Sequence, residues 1–143
     1  MTRFILGINK GRFLAISIGV IYFWFGMLKF FPELSPAEDL AKKTITFLTI
    51  GVLPENISIV MLAVIEVIIG CMLIFNLKMK VAVTAALLHL VLTFIPLICF
   101  SEDSFTKAPY ALTLVGQYII KNIVIISALL FIYPIENYKV RDL

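Results

Sequence analysis

The chain has 143 residues, of which 62% are hydrophobic and 15% charged, with a formal net charge of +3. Soluble domains average about 45–50% apolar and about 25% charged residues, so this composition excludes an ordinary water-soluble domain and points to a membrane protein. The basic residues stand at the ends of apolar runs rather than in a patch, which argues against nucleic acid as a partner.

Four apolar runs, at about residues 12–31, 57–77, 81–100 and 110–133, are each near the ~20 residues a helix needs to cross a bilayer. They lack the alternation of a barrel strand, and lipid does not tolerate unpaired backbone groups. The predicted fold is therefore all-α: a single transmembrane domain, residues 1–143, forming a four-helix bundle in contact with the lipid bilayer.

Arg3, Lys10 and Arg12 precede the first helix, and no small-residue cleavage site follows it, so it is expected to remain as an anchor. Its small and polar residues, Gly19, Tyr22, Gly26 and Lys29, share one face.

The next segment carries a helix start: Ser35 as cap, Pro36 at the first position and Glu38 completing a capping box. Glu38 with Lys42 and Asp39 with Lys43 are acid-before-base pairs one turn apart, and Leu40, Ala41, Thr44, Phe47 and Leu48 form the opposite stripe. Gly51 is the expected stop. This predicts an amphipathic helix over about 36–50 on the outer membrane surface, either a spacer or a lid over an inner cavity.

The second span aligns Ala63, Glu66 and Gly70, and Lys78 and Lys80 fill the link to the third. The third aligns Ala82, Ala85, Ala86, His89, Thr93 and Pro96, the proline bending it near its outer end. A short acidic loop, Ser101 to Pro109, leads to the fourth span, which aligns Gln117, Lys121 and Ala128 and ends at Tyr133 and Pro134. With Lys139 and Arg141 beyond it, the positive-inside rule places both termini in the cytoplasm. Cys71 and Cys99 fall near opposite membrane faces, too far apart for a disulfide, and read as small buried apolar residues.

An ionisable side chain in hydrocarbon costs about 2.5–3.5 kcal/mol on insertion scales, so Lys29, Glu66, His89 and Lys121 need partners or a task. Counted along the helices, Glu66, His89 and Lys121 fall near mid-membrane and Lys29 about 10 Å closer to the outer side. The sequence thus predicts a Glu66–Lys121 ion pair with His89 and Asn122 nearby, and Gln117 continuing the polar path toward Lys29. Two lysines face one glutamate. The surplus charge is either Lys29 snorkelling to the headgroups or part of a site for an anion or a quinone carbonyl. His89 is the sole histidine, so a haem would need a different second ligand, and no His/Cys/carboxylate spacing supports zinc.

The segments YFWFGMLKFFPELSPAEDLAKKTI from Tyr22, AVIEVIIG from Ala63, LLHLVLTFIPL from Leu87 and LTLVGQYIIKNIVIISALL from Leu112 resemble the DoxX-like membrane proteins of bacteria. The likeness rests on Gly26, Lys29, Glu66, Gly70, Thr93, Phe94, Pro96, Lys121 and Asn122. It implies a four-helix protein of the bacterial inner membrane, whose relatives include a subunit of a thiosulfate:quinone oxidoreductase, membrane partners of oxidative-stress enzymes and proteins of reactive-chlorine resistance.

Three readings stand side by side. The first is an accessory or anchoring subunit of a redox system, with a redox protein as partner and a quinone as cofactor, and Tyr22, Lys29, Glu66, His89, Thr93, Gln117, Lys121 and Asn122 as its ligand-binding or buried polar network. The second is a binding or transport module for a small anion or lipid-like molecule. The third is a structural assembly protein, including a homo-oligomer, in which the charges serve packing alone. No catalytic residue and no metal ligand is assigned, and an enzyme acting alone is disfavoured because no nucleophile–base pair or phosphate loop is present.

Overall fold

Asn9 opens the first helix by accepting a hydrogen bond on its side chain from the Arg12 amide at 3.0 Å, which satisfies one of the free donors of the first turn. The computed structural model describes residues 9–32, 34, 35 and 37–133; the expectations attached to Arg3, Pro36, Pro134, Lys139 and Arg141 lie outside them. In chain order these residues form α1 (Lys10–Leu28), α2 (Glu38–Leu48), α3 (Glu55–Ile74), α4 (Met79–Leu92), α5 (Ile95–Cys99), α6 (Ser101–Ser104), β1 (Phe105–Lys107), β2 (Ala111–Leu112) and α7 (Leu114–Ile132). Four segments, Lys10–Leu28, Glu55–Ile74, Met79–Cys99 and Leu114–Ile132, are long and apolar enough to cross a membrane. Exposed apolar residues such as Trp24, Val124 and Phe131 are what such helices present to lipid.

Helix α1 packs most extensively on α3, α3 on α4, α4 on α7 and α7 back on α1, so the four spans enclose a common interior. The α1–α3 contact is close because it is made by glycines: a Cβ at Gly70 would lie 2.6 Å from the Phe23 amide nitrogen. Ile18, Ile69, Leu73, Val83, Ala86 and Leu129 form the apolar core. These positions fall late on α3 and α7 and early on α4, so the filled half of the bundle is the half away from α2.

Arg12, read in the sequence only as a topology marker, reaches across to cap α3, donating to the carbonyls of Leu73 at 2.9 Å and Ile74. Those are among the carbonyls a helix end leaves without donors. Asn76, at φ 59°, then reverses the chain, and the Leu77 amide closes back on the Met72 carbonyl at 2.8 Å.

Several local expectations need correction. Helix α2 starts at Glu38 with Ala37 at its N-cap and no side-chain cap; Ser35 contributes its carbonyl, 3.2 Å from the Glu38 amide, not its hydroxyl. At the other end the left-handed residue that stops α2 is Ile50, at φ 53°, with Gly51 following at φ 72° and donating to the Thr46 carbonyl at 2.8 Å. The third span is interrupted and not just bent: α4 ends at Leu92, Thr93 and Phe94 form a turn, and Pro96 sits in the first turn of α5. Proline has no N–H for the Leu92 carbonyl, and its ring crowds that carbonyl. The loop before the fourth span holds a two-stranded antiparallel hairpin, β1 with β2. Helix α7 therefore begins at Leu114, where the Thr113 hydroxyl accepts from the Gly116 amide, rather than at residue 110.

Candidate functional site

Glu66 is the residue around which the buried polar groups gather. The close α1–α3 contact brings Gly26 against it, and Lys29, the C-cap residue of α1, lies just beyond on the same side. Lys29 Nζ donates to Glu66 Oε2 at 2.6 Å, with both side chains about nine-tenths buried. A second, longer donation from Nζ reaches the Phe25 carbonyl at 3.4 Å. The other carboxylate oxygen, Oε1, faces His89 Nε2 of α4 at 3.3 Å.

Behind His89 stands Tyr22 of α1. Its hydroxyl lies 3.0 Å from the Ala86 carbonyl and 3.1 Å from His89 Nδ1, and the two rings meet edge to face with centroids 5.6 Å apart. A phenol has a single hydrogen, and the Ala86 carbonyl can only accept. The hydroxyl therefore donates to Ala86, and His89 Nδ1 donates to the phenol oxygen. The Nε2–Oε1 contact is then completed by one further proton, carried by the imidazole or by Glu66. Lys29, Glu66, His89, Tyr22 and the Ala86 carbonyl form one continuous chain spanning α1, α3 and α4.

A shorter branch joins α7 to the broken span. Asn122 donates to the Thr93 hydroxyl at 3.0 Å, and that hydroxyl donates to the Leu90 carbonyl at 2.6 Å. The break before Pro96 leaves Thr93 at the end of α4, where its side chain can turn to α7.

The predicted Glu66–Lys121 pair is not formed. Helix α7 packs against α1 and α4 and not closely against α3, so α3's carboxylate turns to its tighter neighbour α1, and the flexible lysine stem of Lys29 spans the difference in depth. Lys121 is exposed, with its ammonium 5.6 Å from the ring centroid of Tyr118. Gln117 is exposed as well and carries no polar path toward Lys29.

The polar chain borders a cavity of about 380 Å³ between α2 and the four spans. The volume lies within the range of about 300–1,000 Å³ typical of small-molecule sites. Apolar side chains make most of its wall: Leu40, Ala41 and Ile45 from α2, Leu62 from α3, Leu90 and Leu92 from α4, Ile119 and Ile125 from α7. Tyr22, Lys29, Glu66, His89, Thr93, Lys121 and Asn122 supply its polar points. Of the eight residues the sequence singled out, these seven line one cavity and Gln117 does not.

Helix α2 covers this cavity with the stripe read from its sequence, Leu40 and Thr44 being buried. The expected Glu38–Lys42 pair forms at 2.6 Å with Glu38 buried, but on the exposed face Lys43 pairs with Asp103 of α6 at 2.8 Å instead of with Asp39. The bond tethers α2 to the segment that follows the broken span. The hydrogen bond to Asp103 holds the Lys43 ammonium above the usual lysine range, and that to Glu38 does the same for Lys42. Phe47 adds an edge-to-face contact with Phe100, centroids 5.9 Å apart. Arg12 as a helix cap, Lys43–Asp103 as a tether and the Thr93–Asn122 bond escaped sequence reasoning, because each joins residues distant in the chain and no local spacing announces them.

Comparison of the chain with protein-family models, with curated proteins and with solved structures finds no match, so the functional reading rests on this geometry and on the sequence resemblance.

Proposed function

We propose that this chain is a small accessory membrane subunit of a redox or oxidative-stress system, of the DoxX-like type, that holds a quinone-type molecule in the cavity beneath α2. The observation that carries the reading is the cavity itself: an apolar chamber of about 380 Å³ with a compact polar cluster on one side. That is the environment a ring with carbonyl oxygens and an apolar substituent requires. Lys29 has three ammonium hydrogens, and its bonds to Glu66 and the Phe25 carbonyl leave one to donate to a quinone oxygen. Asn122, whose amide engages Thr93 through one N–H, offers its other N–H and its carbonyl.

In this reading the helices span the bacterial inner membrane with both termini in the cytoplasm, and α2 lies over the cavity on the outer face. The subunit binds and positions its ligand; electron transfer belongs to a partner protein. The test is purification in mild detergent, with chromatographic analysis of the organic extract and thermal unfolding with and without an added short-chain quinone. Co-purified quinone, or a rise in unfolding temperature that Lys29→Met removes, supports the proposal. A chain that runs alone, carries no quinone and is not stabilised by one overturns it.

A further inference from the structure

Several residues of α1 and α7 that line the cavity are open to the surroundings. Ile21 and Phe25 of α1 are 41% and 40% exposed, and Tyr118 of α7 is 49% exposed, although all three line the cavity. Residues that are at once cavity lining and open to the surroundings mark a lateral opening, and at this height in the bundle the surroundings are acyl chains.

Lys121 stands in the same opening. It lies about two turns inside α7, roughly 10 Å from the end of the helix nearest α2. No carboxylate among the described residues pairs with it, since Glu66 is engaged by Lys29 and His89. Its ammonium instead leans over the ring of Tyr118, which is on the turn nearer α2. Such a contact offsets only part of the cost of a desolvated ammonium. The direction of the lean is that of a lysine reaching toward the headgroups of the leaflet on the α2 side.

We propose that the opening between α1 and α7 is a binding site for a membrane amphiphile with an anionic oxygen headgroup, a carboxylate or a phosphate. Lys121 pairs with the head, and the chain lies against Ile21, Phe25 and Tyr118. Lys29 and His89 are engaged with Glu66 inside the bundle, so the charge that stands at the opening is that of Lys121. The site is independent of the quinone reading: it depends on an unbalanced cation at a side opening and not on the polar cluster within.

The full-length protein in nanodiscs of zwitterionic phosphatidylcholine is exposed in turn to hexadecanoate, phosphatidylglycerol, hexadecanol and inorganic phosphate, and retained molecules are counted by native mass spectrometry. The site predicts retention of hexadecanoate or phosphatidylglycerol as a single copy per chain, with hexadecanol and free phosphate lost. Which of the two is kept tells whether the head belongs to a single-chain acid or a phospholipid. Lys121→Met lowers retention about tenfold, the scale of a lost charge contact in a half-open site, while Lys121→Arg keeps it. Lys107→Met, the same charge change in the loop hairpin, leaves it unaltered. Equal retention of hexadecanol and hexadecanoate by the unmodified protein overturns the proposal without recourse to any variant, as does retention of the anion by Lys121→Met at the original level.

Discussion

Gly26 of α1 stands so close to Glu66 of α3 that a Cβ added to the glycine would lie 2.9 Å from the Cβ of the glutamate. That approach is what places Lys29, rather than Lys121, in reach of the carboxylate. Gly26→Ala should force the two helices apart and cost about 1–3 kcal/mol, as overpacking of a tight contact does. Gly70→Ala, whose Cβ would meet Phe23 backbone at 2.6 Å, should cost at least as much because backbone cannot turn aside. Reversible unfolding in detergent micelles measures both, and neutral outcomes would show that the helix contact is loose.

Breaking the Lys29–Glu66 pair on one side leaves a buried charge without its partner. Lys29→Met or Glu66→Leu should each cost about 3–5 kcal/mol, and the double change should recover part of that loss. A double-mutant cycle reads the coupling directly, with about 0.5–3 kcal/mol expected for groups in contact and additivity if they do not interact. The same cycle on Glu66 and Lys121 should be additive, since Lys121 is turned to Tyr118.

Tyr22→Phe removes the hydroxyl that joins His89 to the Ala86 carbonyl and should destabilise by about 1–3 kcal/mol, because two buried partners lose their bond. The hydrogen count also assigns Nδ1 of His89 as the donor to Tyr22. Nitrogen NMR of His89 in the unmodified protein should show Nδ1 bearing a proton; a bare Nδ1 would contradict the assigned direction of the Tyr22 contact.

The Lys43–Asp103 bond tethers α2 at its exposed face, where salt screens it and its worth to global stability is small. Its effect should be on the opening of α2. Lys43→Ala is expected to speed amide hydrogen exchange in Glu38–Leu48 while leaving the exchange of α3 unchanged. Because the lysine is held above its ordinary value of 10.5, the tether is present at neutral pH and is lost as pH rises past that value. Exchange rates in α2 that do not respond to Lys43→Ala would show that the tether does not restrain α2.

Much of this architecture is legible in the sequence because lipid imposes it: apolar runs of spanning length, and small and polar residues on one helical face. The inward sets built around Tyr22, Glu66 and His89 follow from periodicity alone, and they do meet. The pairing among them is not legible, since it depends on which helices are neighbours. Lys29 looked too far toward the membrane surface for Glu66, yet the glycine contact and a long side chain closed the gap. Lys121 and Gln117 share a face with Ala128, but Asn122, one residue on, is the side chain turned to Thr93. The hairpin of β1 and β2 hides in a segment whose composition reads as loop, and Ser35 offered a capping signature that the backbone does not use.

The central claim is that the chamber under α2 holds a quinone-type ring against Lys29 and Asn122, and photoaffinity labelling with an azido-quinone tests it most directly. Peptide mapping should place the label on cavity-lining residues such as Leu40, Thr44 and Ile45 of α2 or Tyr22 of α1, with labelling suppressed by excess unlabelled quinone. Label found only on lipid-facing positions such as Val124 and Phe131, and not displaced by competitor, would contradict the account.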